Sequence, residues 1–414
     1  MFAKLALRSL LDRKGSVALS LLAMTVSIFV LFGVENIRQQ AKASFSNTVS
    51  GVDLIVGART GSLNLLLYSV FRIGSPTNNI SWQSFEEIAA NPAVKWAIPM
   101  SLGDSHKGFR VLGTTRDYFK YFSYGSQHHL AFDKGEAFNN VFDVVIGSEV
   151  ARKLGYQLNQ KLVLAHGIAE TSFSLHDDLP FNIVGILAPT GTPLDQTLIV
   201  SLQGIEAIHI GWQQGVKTSN STITQSNLEQ VNLQPKSITA FMLGLNSKMA
   251  IFRVQRYINL YTQEPLVAIL PGVALSELWQ MMSVLENTLV LVSTLVFISA
   301  CLGVNAMLLS SIRERRREIQ LLRVIGAPPS FLFLLIELEA LFITVSSIIL
   351  GTGLLAVALS LIHDYLVLHF GLHIEMSMFT ENSIYLVIAM LGASIIFAAI
   401  PSISGYRQAS VNKN

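Results

Sequence analysis

Hydrophobic positions along this chain gather into four uncharged runs, at 16–34, 287–312, 340–362 and 383–401. Each is close to or above the roughly 20 helical residues that cross a hydrocarbon core of about 30 Å. Between the first two runs the pattern turns polar and mixed, whereas only short segments separate the later ones. This predicts a membrane α-helical protein of four transmembrane helices, with a large mixed α+β extracytoplasmic domain between the first and second spans. The predicted segments are an amphipathic N-terminal helix at 1–15, spans at 16–34, 287–312, 330–362 and 383–401, and the domain at 35–286. A charged segment at 313–329, a loop at 363–382 and a tail at 402–414 complete the chain.

The first run follows the basic residues Lys4, Arg8, Arg13 and Lys14 and precedes Ala41, Lys42 and Ala43, as a cleaved leader would. A leader's apolar region is about 7 to 15 residues. This run is span-length, so it is expected to stay as an anchor. Lys and Arg also collect in 313–323, with Arg407 and Lys413 in the tail, while 363–382 has none. By the positive-inside rule both termini are expected in the cytoplasm, with 35–286 outside the inner membrane.

Within the domain, β-rich runs at 142–146, 161–165, 181–187 and 197–200 read as strands. Helices are predicted at 82–90, behind a Ser81 cap and closed by Asn91 and Pro92, and at 148–154 and 202–209. The stretch 218–235, rich in Ser, Thr, Asn and Gln, predicts a flexible connection and a subdomain break. No breaker separates Ser276 from the second span. A stalk helix over 276–312, roughly 55 Å long at 1.5 Å per residue, is therefore expected.

Between the second and third spans, Ile312, Ile319, Leu322 and Ile325 recur near helical spacing while Arg and Glu fill the remaining face. Gly326, then Pro328 and Pro329, would stop that helix. On charge alone this is equally an ordinary solvated loop. The residue order is more specific: Arg313 to Ile319, then Arg323 with Gly326 and Ala327, then Glu339, Ala340 and Leu341 resemble the signature of FtsX/MacB-type (type VII) ABC transporter permeases. The opening 6–16, the stretches 144–151 and 181–187, and the order of one span, a large domain and three spans are similar to that family too. A departure is 404–414, which lacks a clear Asp-Pro-x-x-Ala tail.

The resemblance implies a homodimeric permease bound by a separate cytoplasmic ABC ATPase, which holds the ATP and Mg. A periplasmic adaptor, a lipoprotein or an outer-membrane channel would be a further partner. It places ATPase coupling on Arg313, Glu314, Arg315, Arg316, Glu318 and Gly326, where Arg forks can pair directionally with carboxylates.

Composition narrows the alternatives. The 414 residues are 51% hydrophobic and only 14% charged, against about 25% charged in soluble proteins. A net charge of +2 is too balanced for the basic face of a nucleic-acid binder. The lone Cys301 excludes an intrachain disulfide. The chain has no phosphate-binding Gly-x-x-x-x-Gly-Lys-Ser/Thr; its nearest glycine-rich stretch, 57–62, lacks the lysine and reads as a loop of the domain. No Gly-x-Ser-x-Gly elbow suggests an acyl-transfer enzyme. The chain therefore reads as a non-catalytic subunit that binds no cofactor itself.

Ser299 with Gly303, and Ser347 with Gly351, have the small-residue spacing that lets membrane helices approach. They are candidate packing faces of a dimer, although small residues are frequent in any membrane helix. Glu337 and Glu339 lie near the start of the third span, where a carboxylate needs a partner. An arginine of the coupling segment is expected to supply one. All nine histidines fall on the expected outer side, and His128, His129, His176 and Asp177 make a weak metal-ligand set. Because spans rarely host His, surface histidines are the plainer explanation. The expected function is mechanotransmission: ATP hydrolysis below moves the outer domains for export, efflux or lipoprotein handling. A signalling permease that controls a periplasmic partner, or a metal-related ABC system, is the alternative.

Overall fold

The computed structural model describes residues 2–46, 48, 50–125, 127–166, 179–210, 212–213, 216–217, 232–314, 321, 324, 326–370 and 381–411. Contacts divide the chain into two compact units, Met1–Gln40 with Ser283–Asp364 and Ile374–Asn414, and Ala41–Met282 with Tyr365–His373.

Four helices are long and apolar enough to cross a membrane, at Lys14–Gln40, Pro271–Glu314, Ser330–Ile362 and Ser383–Ser404. The helices themselves overshoot the uncharged runs. The first continues to Ser46, the second starts at Pro271, the third reaches Phe370 and the fourth Val411. Residues 363–370 of the predicted loop and 402–411 of the predicted tail are thus helical, because backbone hydrogen bonding, once nucleated, propagates past the point where charge begins. Pro271 tolerates the first helical turn, where its missing N–H has no intrahelical partner to lose. At the N-terminus the helix is Phe2–Leu11, and a turn at Asp12 and Arg13 separates it from the next.

In the span unit, Met24, Ile28, Phe297, Val304, Ile343 and Met390 form part of one apolar core. Polar contacts cross between the helices. Thr344 and Ser394 join hydroxyls at 2.6 Å, and Ser347 Oγ donates to the Leu21 carbonyl at 3.3 Å. Pro401 lies inside the fourth helix. Having no N–H, it leaves the carbonyl four residues back without its usual donor. That carbonyl belongs to Phe397, and Asn305 Nδ2 of the second span donates to it at 2.9 Å. A neighbouring helix thus restores the bond that proline removed, as an apolar medium requires.

The second unit is built on one sheet. Its principal strands are β1 (Leu54–Ala58), β2 (Val94–His106), β3 (Phe109–Thr114), β4 (Phe132–Gly135), β5 (Asp143–Ile146), β6 (Phe181–Leu187), β7 (Thr197–Ser201), β8 (Ala240–Leu245) and β9 (Leu266–Ile269). They lie in the order β9-β1-β8-β2-β3-β7-β5-β6-β4. Pairs β3/β7 and β5/β6 are parallel and the other neighbours antiparallel. The expected run at 161–165 is two short strands, Lys161–Leu162 and Ala165–His166, which pair with β6 and β2. Because β8 lies between β1 and β2, the sheet joins both sides of 218–235, so no subdomain break falls there; residues 218–231 lie outside the described ones.

Both sheet faces are covered. Ile55, Val145, Ile199 and Met242 enter a single core with Leu65, Leu66 and Tyr118. Their neighbours in sequence point the other way, into two separate cores. Leu54, Val56, Phe241 and Leu243 meet helices Trp82–Ala89 and Ile251–Asn259, whereas Val144, Ile146, Leu198 and Val200 meet Ser148–Leu154 and Leu202–His209. Double burial explains why these strands read as continuous apolar runs. The helices start where the sequence places them: Ser81 accepts from the Ser84 amide and Ser201 from the Gly204 amide.

A register shift between Leu102 and Ser105 in β2 accompanies a buried Asp104. His209, at the end of helix Leu202–His209, meets it: Nε2 lies 3.3 Å from Asp104 Oδ1, and Nδ1 lies 2.8 Å from the Ile205 carbonyl. Both partners only accept, so satisfying both ring nitrogens requires the imidazolium. Burial opposes that charge, but the hydrogen bond and charge of Asp104, aided by the Ile205 carbonyl and Glu206, outweigh it and raise the His209 pKa. His106 behaves oppositely. Its nitrogens meet the Val163 carbonyl at 2.6 Å and the Tyr156 hydroxyl at 2.9 Å, which can donate, and burial lowers its pKa.

Replacing Asn305 by Leu is expected to lower stability in detergent by about 1–3 kcal/mol, the cost of an unsatisfied buried acceptor. Adding Pro401→Ala should recover most of that loss by restoring the helix's own donor; no recovery in the double variant would show that Asn305 acts otherwise. The His209 pair stabilises the domain fully below the unfolded pKa of about 6.5. As pH rises through the raised folded value, the stabilisation is lost. Hydrogen exchange in β2, corrected for intrinsic rates between about pH 5.5 and about 8.5, should show protection falling with pH, and less so in His209→Gln. An identical pH response in the two proteins would remove this role from His209.

Candidate coupling site

One buried charge pair of the span unit lies at the N-terminal end of the first span; at its other end Arg38 meets Glu35 at 2.8 Å and Glu286 at 3.7 Å. Arg13 occupies the turn before helix Lys14–Ser46, and Glu339 lies one face deep in helix Pro329–Phe370. Arg13 Nη2 is 3.0 Å from Glu339 Oε2 and donates to Ser9 Oγ at 3.2 Å, while Ser9 donates to Glu339 Oε1. The carboxylate is 4% exposed and the guanidinium side chain 14%, so this is a buried pair with its own hydroxyl ligand. A carboxylate in such a place needs a counter-charge.

Sequence reasoning expected an arginine of the coupling segment to fill that role. Among the described residues Arg13 fills it, because the turn at 12–13 brings the N-terminal arm back over the third helix; Arg315, Arg316, Arg317 and Arg323 lie outside the described residues. The clue lay in the sequence as Arg13 itself, sited at the edge of the first span much as Glu339 is near the edge of the third. Glu337 has a different neighbour, the Ser402 hydroxyl of the fourth helix.

Of the expected coupling residues, Arg313 and Glu314 end helix Pro271–Glu314 and are exposed. A cation in the last turn suits the negative end of the helix dipole. Arg315, Arg316 and Glu318 lie outside the described residues. Gly326 forms a turn at φ 101°, a conformation open to glycine and strained for other residues. Pro329 then opens the third helix. Leu321 and Val324, three residues apart and both helical, are 62% and 85% exposed. Residues at that spacing share a helix face, and sequence reasoning had not singled out this pair.

The small-residue pairs differ from one another. Ser347 is buried and Gly351 abuts the first span, where a Cβ would sit 3.0 Å from Ile28 Cγ2 and 3.1 Å from the Thr25 carbonyl. This pair packs two helices of one chain, which takes it away from any dimer face. Ser299 and Gly303 are exposed and line an open groove of about 410 Å³ with Ser20, Ala23 and Ser27 of the first helix.

In the second unit, His128 and His129 form an exposed two-residue strand paired with Ser123–Tyr124. His176 and Asp177 lie outside the described residues, and no group of three or more potential ligands gathers among the described ones. The glycine-rich stretch 57–62 is a loop only at 59–61. Gly57 and Ala58 belong to buried β1, and a Cβ on Gly57 would lie 2.7 Å from Leu65 Cδ1, so glycine there admits helix Ser62–Ser69 against the strand.

Comparison with known proteins agrees with this architecture. The MacB-like periplasmic core domain matches residues 17–240, and the FtsX-like permease C-terminal region matches 290–409. Among solved structures, the periplasmic region of MacB from Actinobacillus actinomycetemcomitans is 9% identical with a TM-score of 0.36, over 56% of this chain and 94% of that one. The extracellular domain of the noncanonic ABC-type transporter YknZ from Gram-positive bacteria is 12% identical with a TM-score of 0.31, over 53% and 98%. A search of curated proteins gave no match. With the first match spanning more than half of its length and the second taking in its last three spans, the chain belongs to the FtsX/MacB-like family of ABC transporter permeases.

Proposed function

We propose that this chain is the membrane subunit of an ABC system in the inner membrane, with both termini cytoplasmic, and that it couples ATP hydrolysis in a separate ATPase to movement of its outer domain. The observation that carries this reading is helix Pro271–Glu314. At 1.5 Å per residue its 44 residues extend about 66 Å without a break. It begins directly after β9 and ends at the charged segment, so a rotation or shift at one end has a rigid element to follow. Four spans with almost no charge offer little lining for a polar pore, which favours work on a ligand already outside: an exported molecule passed to an adaptor or channel, or a lipoprotein.

Arg313, Glu314, Arg315, Arg316, Glu318 and Gly326 supply the contact with the ATPase. Exposed Leu321 and Val324 fit this assignment, because a charged helix with an apolar edge docks into a groove by burying that edge while its arginines fix register. Arg13, Ser9 and Glu339 lock the N-terminal arm to the third helix, giving the moving segment a fixed neighbour. ATP and Mg belong to the partner. A second copy of the chain would pack on the open groove of Ser299 and Gly303, where small side chains let helices come close.

Replacing Arg315 and Arg316 by Ala should reduce recovery of the ATPase with a tagged chain from detergent, while the permease elutes as a folded protein. Undiminished co-purification at high salt would sink the coupling role. Removing Glu339 alone, as Glu339→Ala, leaves Arg13 buried without its counter-charge and is expected to cost about 3–5 kcal/mol. The double variant Arg13→Met with Glu339→Leu should be markedly more stable than the single one, and thermal melts in detergent would show equal losses if the pair were unimportant.

A further inference from the structure

The span unit holds a pocket of about 360 Å³ that belongs to neither the coupling site nor the open groove. Three helices enclose it: Phe32 and Asn36 from the first, Ile349, Thr352 and Leu355 from the third, and Ile384 from the fourth. Its lining is overwhelmingly apolar. Thr352 does not alter that character, since its hydroxyl donates to the Ile348 carbonyl of its own helix at 2.7 Å. Ser383 also lines the pocket and has a partner of its own, which leaves Asn36 as the exception. Its Oδ1 is buried and has no hydrogen-bond partner among the described residues. The residue sits near the end of the first span that leads into the outer domain, so the pocket has an apolar body and one unsatisfied amide at its domain-side end.

An occupant must match three features: a narrow apolar volume, a position within the spans, and a polar group beside Asn36. A polypeptide helix is too large. With side chains it is about 10–12 Å across, so a single 5.4 Å turn fills on the order of 500 Å³. A whole helix therefore does not enter this pocket, whereas it can pack across the mouth of the more open groove at Ser299 and Gly303. Water is a poor match for the body, because an apolar cavity stays dry. A single hydrocarbon chain fits the volume, and hydrocarbon chains are the medium around the lining. Turned so that Nδ2 faces the pocket, the Asn36 carboxamide donates to the ester or amide carbonyl at the head of such a chain; turned so that Oδ1 faces it, only a donor such as an amide N–H is a partner.

We propose that this pocket is a binding site for one acyl chain of a membrane lipid, inserted from the leaflet on the domain side with its ester or amide group hydrogen-bonded to Asn36. A bound chain fills the space between the first, third and fourth spans and ties their packing to the lipid around them. The proposal requires the spans to lie in a bilayer, but it is independent of ATPase coupling.

The test uses the full-length chain in vesicles containing a phospholipid that carries a diazirine at the end of one acyl chain. After irradiation, labelled peptides are mapped by mass spectrometry. Labelling is expected to concentrate on peptides containing Ile349 to Leu355 and Ile384. Filling the pocket with Ile384→Trp should reduce it by about tenfold, since displacing two buried methylenes already changes affinity by that order. Ile396→Trp, at a 72% exposed side chain of the same helix, should leave it unchanged. If Ile384→Trp does not fold, Thr352→Met serves as the smaller plug. Asn36→Leu should weaken retention of co-purified phospholipid, as counted by native mass spectrometry. Labelling spread evenly over exposed span positions, or unaffected by the plugs, overturns the site. Loss of ATPase co-purification with labelling intact would count against the coupling reading and leave this one standing.

Discussion

Inside an apolar medium every backbone carbonyl and every charge must find its partner within the protein, and the span unit is arranged around that requirement. Several of its polar groups are met by other helices. Asn305 supplies the donor that Pro401 removes from the Phe397 carbonyl, Thr344 meets Ser394, and the Glu339 carboxylate takes Arg13 and Ser9. These contacts set which helix faces which. The apolar core of Ile28, Phe297, Ile343 and Met390 then packs between them, but apolar side chains alone distinguish poorly between neighbours in a medium as apolar as themselves.

The outer domain meets the same requirement with a different solution. One sheet is covered on both faces, so its ladder satisfies the backbone while alternate side chains fill three cores. Two helix-lined cores on one face and a single core on the other make a stiff plate. β9 leads directly into helix Pro271–Glu314, so the sheet is continuous in the chain with the second span.

Two histidines of this domain, His106 buried and His209 half-buried, show how little residue type alone conveys. His209 faces two acceptors, which favour the cation, whereas His106 faces a carbonyl and a hydroxyl, and its burial favours the neutral ring. In the sequence both were counted only among nine histidines on the expected outer side.

Local chemistry carried the sequence a long way. The four spans, the helix capped by Ser81, the helix at 202–209, the strands at 181–187 and 197–200, and the family signature around Arg313 to Leu341 depend on residues close together in the chain, so local patterns suffice to find them. The thirteen residues of β2 escaped notice because Lys95, Pro99 and Gly103 interrupt the run and its buried positions come in blocks at 98–100 and 104–106 instead of alternating. Only the tertiary structure could decide that β8 lies between β1 and β2, that Glu339 answers to Arg13, or that Ser347 and Gly351 serve a contact within the chain while Ser299 and Gly303 stay open. Each of these depends on a partner hundreds of residues or a whole domain away, and no local pattern encodes which of several chemically equivalent partners the packing brings within 3 Å.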